Sequence, residues 1–363
     1  MTGLSLHGFH QQRDACFTEI NGMEVVEHFG DPMAEYAALC ESAGILDLSF
    51  RGRVCVTGAD RMRFLHGQVT NNVKELAVGQ GCYAALTTAR GKMQSDLNIY
   101  CLPDELLLDF EPGYTATVSQ RLEKYIIADD AQVVEVGPQY GLLSLQGPKA
   151  GSNLTEAGLA VELPAQTFSL IRAAVPAWGE IYCMNQPRTP AGGFDLFVPT
   201  PKLSAAITSL ITAANNLGGR LCGWQALETV RIEAGIPRFG VDMDETNLPP
   251  EAGIETRAIS YTKGCYIGQE VIARIRTYGQ VSKTLNTLLL AGGLKTLPQK
   301  GDKLFCGEKE AGYITSAVAS PALKANIALG YVRREFDEPG AELTLRSAAG
   351  ETLAKIAPRP IAL

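Results

Sequence analysis

The sequence predicts an α+β body followed by a small C-terminal β-barrel. Up to about residue 280, segments with helical and strand periodicity alternate irregularly. Beyond that point only short strands appear, punctuated by Gly292-Gly293, Pro298, Gly301, Gly307 and Gly340, as in a closed or partly closed barrel. No period of 20–50 residues marks a solenoid. With 363 residues, 46% hydrophobic and 20% charged, the chain can bury a large core split over two or three domains.

Asp31-Pro32 opens the first helix with a capping carboxylate and a proline at its first position, and Gly44 marks its end. Ile45 to Phe50 and Val54 to Thr57 read as strands, and Asp60 to His66 as a short helix. Cys82 to Thr88 and Met93 to Leu102 form a hairpin around Ala89-Arg90-Gly91-Lys92, and Leu106 to Phe110 extends that sheet. Val118, Leu122, Tyr125 and Ile126 lie on one face of an amphipathic helix. Strands are expected at Gln132–Val136, Leu142–Gln146, Phe168–Ile171 and Phe194–Val198. The helical spacing of Leu203, Ala206, Ile207, Leu210, Ile211, Ala214 and Leu217 predicts a long helix, and Trp224 to Glu233 another. Barrel strands are expected at Leu285–Leu290, Lys303–Cys306, Ala311–Val318, Ile327–Val332 and Glu342–Arg346. The corresponding domains are 1–50 with 51–135, then 136–280, then 281–363.

Composition limits function. A net charge of −7 argues against a broad electrostatic grip on nucleic acid. No apolar run is long enough to cross a bilayer, and the first ten residues lack the basic-then-apolar order of a secretory signal. The nine cysteines are scattered, odd in number and never spaced Cys-x-x-Cys, which fits a reducing cytoplasm and no disulfide framework. All four histidines fall in the first fifth of the chain, and His7 and His10 read as terminal surface residues, so no metal site is expected. Dinucleotide, nucleoside-triphosphate and esterase fingerprints are absent.

The most informative stretch is Lys263-Gly264-Cys265-Tyr266-Ile267-Gly268-Gln269-Glu270. It sets one thiol between two glycines, with a cation, a ring, an amide and a carboxylate around it. Lys263, and a helix starting near Gln269, would favour the thiolate. This octapeptide resembles the signature of the YgfZ family, folate-binding proteins similar to the T protein (aminomethyltransferase) of the glycine cleavage system. Gln68-Val69-Thr70-Asn71-Asn72, Leu145-Gln146-Gly147-Pro148-Lys149-Ala150 and Gly312-Tyr313-Ile314-Thr315-Ser316 resemble segments shared by both groups.

The resemblance implies two antiparallel-sheet lobes and the barrel arranged around a central folate channel, with tetrahydrofolate as cofactor. Asp195, in Gly192-Gly193-Phe194-Asp195, matches a pterin-binding glutamate, one methylene shorter. By strand alternation alone it reads as an outward carboxylate. Arg231 matches the family's arginine at a helix end, the alternative being a surface arginine paired with Glu228 or Glu233. Asn71 and Gln269 complete the expected folate contacts. In Gly91-Lys92-Met93-Gln94-Ser95-Asp96, Ser95 replaces the first of the T protein's two aspartates and Asp96 keeps the second. Cys265, Lys263 and Asp96 are the catalytic candidates. The resemblance implies an accessory role in iron–sulfur cluster assembly or repair, with cluster target or scaffold proteins as partners and an indirect effect on tRNA modification. The alternative is a tetrahydrofolate-dependent aminomethyltransferase.

Overall fold

The computed structural model of the protein describes residues 2–358. The fold is α+β and divides into two compact units. The first holds the residues up to Ala84 and Asp96–Val230; the second holds Ala85–Ser95 and the chain from Arg231 on. Among the described residues no helix is long and apolar enough to cross a membrane.

A six-stranded and a five-stranded sheet organise the body. The six-stranded sheet runs Leu170–Val175, Gly179–Asn185, Gly193–Pro199, Tyr140–Gln146, Gly44–Asp47, Arg220–Leu221. Strand Gly44–Asp47 therefore joins the sheet formed mostly by residues after 136. The five-stranded sheet runs Gly81–Thr87, Met93–Cys101, Leu106–Phe110, Gly52–Thr57, Gln132–Glu135. Helix Leu203–Leu217 buries Leu203, Ala206, Ile207, Leu210 and Ala214 in one cluster with Ile45, Leu143, Leu145, Leu196 and Val198. Those side chains fall on one face at the expected helical spacing, so their burial stabilises the helix far more than its propensity does. Helix Pro32–Glu41 starts as expected: the Asp31 side chain accepts from the Ala34 amide at 3.0 Å. It ends at Glu41, and Gly44 instead opens a strand.

Six strands close the barrel: Lys283–Leu290, Ala325–Arg333, Lys309–Ser320, Lys303–Cys306, Glu342–Ser347 and Gly350–Ile356. Pairing of Leu288 with Ile356 returns the last strand to the first. Leu288, Leu304, Ile314, Ala328, Leu345 and Ile356 fill its interior.

Strands Cys16–Ile20, Met23–His28, Gly179–Asn185, Arg220–Leu221 and Gly350–Ile356 escaped the sequence reading. Cys16–Ile20 and Met23–His28 pair through Asn21-Gly22, both at positive φ, a two-residue hairpin signal that was present and unused. Gly179–Asn185 follows Pro176-Ala177-Trp178-Gly179, with Gly179 at positive φ, a turn signal that was likewise present and unused. Gly350–Ile356 buries Thr352 and Ala354 and exposes Leu353, which inverts the polarity alternation that marks a strand. His10 is also corrected. It is fully buried, with Nε2 2.8 Å from Asp47 Oδ2, because helix His7–Gln11 turns that face onto the Gly44–Asp47 strand.

Candidate functional site

The catalytic and binding candidates fall into separate local groups. In the first unit, Asn71 Nδ2 donates to the Tyr83 carbonyl at 2.8 Å, and the Tyr83 hydroxyl donates to Asp96 Oδ2 at 2.8 Å. Two residues named from sequence, Asn71 and Asp96, are thus linked by one that was not. Tyr83 lies on strand Gly81–Thr87 and Asp96 on strand Met93–Cys101, the two arms of the expected hairpin. Hairpin pairing was the available signal for Tyr83. Loss of hydration, and secondarily Glu111, pushes the Asp96 carboxyl up to about 6, while the Tyr83 hydroxyl and Arg51 pull it back. A carboxyl at that value exchanges a proton near neutral pH, as general acid–base chemistry requires.

Asp195 is fully buried rather than outward-facing. Its carboxylate accepts from Arg188 Nε at 3.0 and 3.2 Å and from Arg188 Nη2 at 2.6 Å. Arg188 Nη2 also reaches Asp109 Oδ2 at 3.0 Å. Asp109 accepts from Arg51 Nε at 2.8 Å, and Arg51 Nη1 donates to Glu111 at 2.5 Å. The result is a buried chain of alternating charge, Glu111–Arg51–Asp109–Arg188–Asp195. Burial disfavours charge on Arg188, but Asp195 and Asp109 outweigh it and hold the guanidinium ionised. Burial pushes the Asp195 carboxyl up against the opposing pull of Arg188.

The sequence around Asp195 builds this arrangement. Loop Gln186–Gly192 folds back through the Gln186 amide to the Gly193 carbonyl at 3.1 Å, and the Arg188 amide donates to Gln146 Oε1 at 2.8 Å. A Cβ on Gly193 would stand 2.3 Å from that same Oε1, so glycine makes room for Gln146. The pterin edge presents adjacent N–H donors, and a guanidinium presents the same kind of edge. Both Asp195 oxygens already receive that pattern from Arg188. Arg188 was missed because it lies seven residues from Asp195, in a loop without periodicity.

In the second unit, Arg231 is buried rather than at the surface. Its Nη1 donates to Asp242 at 2.5 Å and its Nη2 to Ser316 Oγ at 3.1 Å. Thr315 and Ser316 donate to the other Asp242 oxygen at 2.6 Å each. Within this unit Arg231 is thus linked to barrel strand Lys309–Ser320 through Asp242. Glu233 is engaged by the Ser320 hydroxyl.

The octapeptide packs on the hairpin tip. The Thr87 hydroxyl donates to the Ile267 carbonyl at 2.6 Å. Gly268 has φ +91, and a Cβ there would stand 2.5 Å from the Thr88 carbonyl oxygen, so both conformation and space require glycine. It serves as N-cap of helix Gln269–Tyr278, which places Gln269 at that helix's first position. Lys263 is buried, its ammonium 4.9 Å from the centre of the Tyr266 ring. Cys265 is exposed. Lys92 also has a structural explanation: its ammonium donates to the Thr246 carbonyl at 2.7 Å and lies 3.9 Å from Glu251. Among the described residues no three His, Cys, Asp or Glu side chains gather as a metal site.

Comparison with known proteins agrees with the fold. The chain is 28% identical to an aminomethyltransferase of Halalkalibacterium halodurans over 98% of this chain and 96% of that one. It is 27% identical to an aminomethyltransferase of Corynebacterium jeikeium over 93% and 90% of the two chains. The crystal structure of glycine cleavage system aminomethyltransferase T from Bartonella henselae superposes with a TM-score of 0.89 at 21% identity, covering 99% of this chain and 98% of that one. Residues 6–263 match the GCVT N-terminal domain, and residues 283–361 match the glycine cleavage T-protein C-terminal barrel domain. The chain belongs to the GCVT, or glycine cleavage T-protein, family.

Proposed function

We propose that the protein is a tetrahydrofolate-dependent one-carbon transfer protein, with aminomethyl transfer as its reaction. The observation that carries this is the Tyr83–Asp96 pair, whose carboxyl is held near pH 6 at the position where the T-protein motif keeps an aspartate. The names of the full-length relatives support the same reading. Tetrahydrofolate, when bound, supplies the nitrogen that accepts the carbon unit. Asp96 holds or releases a proton at its carboxyl, and Tyr83 orients that group by donating its hydroxyl hydrogen to Oδ2. Asn71 fixes the strand at Tyr83. No role in pterin binding is assigned to Asp195 while Arg188 occupies its oxygens. Ser95 in place of the first aspartate leaves Asp96 as the acidic group of this segment.

A second reading has its own observation. Cys265 is exposed, as a thiol that meets a partner must be, and this favours a YgfZ-type accessory role in iron–sulfur cluster assembly or repair. One thiolate does not hold a cluster alone, so a partner protein would supply further ligands.

One pair of assays separates the two readings. Purified protein is given tetrahydrofolate and an aminomethyl-lipoyl carrier, and ammonia release is followed. Aminomethyl transfer predicts release that Asp96→Asn reduces by about 100-fold or more, as loss of a general acid–base group does, and that Cys265→Ala leaves unchanged. No release from the wild type, together with loss of cluster-enzyme activity in cells carrying Cys265→Ala, would establish the second reading instead.

A further inference from the structure

Strand register aligns a second carboxylate with Asp96. Strand Met93–Cys101 pairs antiparallel with Leu106–Phe110, with Asn98 opposite Asp109 and Ile99 opposite Leu108. Continuing that register by two residues sets Asp96 opposite Glu111, on the same face of the sheet as Asn98 and Asp109. Residues so placed have Cβ atoms about 4.5–5.5 Å apart. The adjacent row shows that groups on this face do meet: Asn98 Nδ2 donates to Asp109 Oδ2 at 2.8 Å.

The row extends over four strands. On one side, strand Gly52–Thr57 pairs with Leu106–Phe110, Gly52 opposite Phe110, which brings Arg51 to Glu111. Arg51 Nη1 donates to Glu111 Oε1 at 2.5 Å. On the other side, the Tyr83 hydroxyl donates to Asp96 Oδ2 at 2.8 Å. The order is therefore Tyr83, Asp96, Glu111, Arg51: two acids in the middle, a hydroxyl at one end and a guanidinium at the other.

Glu111 is buried, so solvent screens little of its field. Arg51 does not cancel that charge in full, because its Nε and Nη2 go to Asp109. In the adjacent row Asp109 is held by Arg188 as well, and Arg53 donates to the Ser49 and Gly137 carbonyls. Two carboxyls placed this closely do not both give up their protons readily. Burial contributes most to the raised proton affinity of Asp96 and Glu111 comes next, with Tyr83 and Arg51 opposing.

We propose that Glu111 is a positioning residue for the proton on Asp96: the two carboxyls act as one coupled pair, in which Glu111 stays ionised on Arg51 and Asp96 carries the exchangeable proton. This deepens, and rests on, the one-carbon transfer reading, in which Asp96 holds or releases that proton.

The test follows the carboxyl carbons of Asp96 and Glu111 by NMR titration of the full chain, with no folate or carrier present. In the wild type the Glu111 resonance is expected to show a step at the Asp96 midpoint, and Asp96→Asn to remove it. Glu111→Gln should lower the proton affinity of Asp96 about threefold or more. Glu111→Asp, which keeps the charge, should recover part of that loss. With the aminomethyl-lipoyl carrier and tetrahydrofolate added, the pH profile of ammonia release should move to lower pH in Glu111→Gln by the same factor, a displacement that a merely structural role does not produce. An Asp96 titration unchanged in Glu111→Gln overturns the proposal. If that variant does not fold, absence of the Asp96 step from the wild-type Glu111 titration overturns it. A shifted titration without any ammonia release from the wild type would sink the one-carbon reading alone and leave the coupled pair standing.

Discussion

Asp96 gives a pH signature that can be checked without any ligand. Its carboxyl titrates near 6 in the folded protein and near the ordinary aspartate value when unfolded. Between those values the native state holds a proton that the unfolded chain has released. Stability conferred by this group is therefore present at low pH and is lost as pH rises from about 4 to about 6. The loss amounts to at most about 3 kcal/mol, from 1.36 kcal/mol per pH unit. Asp96→Asn should abolish that slope. Urea midpoints of wild type and variant at pH 4 and pH 7.5 give the comparison, and equal pH responses would contradict the assignment. Asp109 has the opposite sign. Although burial opposes it, Arg51 and Arg188 hold its carboxyl far below the usual range, so its contribution is present above the ordinary aspartate pKa and is lost in strong acid. Subtracting variant from wild type removes that common background. The aspartate itself was legible in sequence; Tyr83 lay on the expected hairpin, but which residue of that arm meets Asp96 depends on a pairing register that the sequence does not fix.

Among the elements, the hairpin tip and the octapeptide behave as one piece. Gly268 touches the Thr88 carbonyl, and Thr87 bonds the Ile267 carbonyl. Gly268→Ala would place a Cβ against that oxygen and hold an alanine at left-handed φ. The conformation alone costs about 1–2 kcal/mol, and relief of the clash adds to it. Denaturation should show a loss of at least about 2 kcal/mol, with faster amide exchange over residues 266–272 than in the wild type. Unchanged exchange there would mean that the segment does not depend on the hairpin. The long helices, the hairpin and five of the six barrel strands were legible because their periodicity or turn residues are local. Arg231 is expected from sequence as a folate contact, but its partner Asp242 is eleven residues away in an irregular stretch. Sequence could not pair them.

Across the first unit as a whole, the alternating ion chain joins the two sheets. Asp109 lies on the five-stranded sheet and Asp195 on the six-stranded one, with Arg188 between them. Removing one member of such a buried set leaves uncompensated charge, which typically costs about 3–5 kcal/mol. Arg188→Met should lower stability by that amount in urea, and Arg188→Lys by less. A neutral result for Arg188→Met would show that Asp195 is readily neutralised by protonation. The fold class was readable from pattern, and the family from short motifs. The ion chain was not, since Arg51, the Asp109–Glu111 stretch and Arg188 lie in three separate places along the sequence and none belongs to a motif.

The arginine fork on Asp195 also bears on what else that carboxylate could meet. A group tethered to the same chain acts at an effective concentration of about millimolar or more. Any outside molecule that reads this carboxylate must displace a permanently present rival with the same two-pronged edge. The protein thus carries its own internal decoy, and selectivity at that carboxylate begins with the ability to evict it.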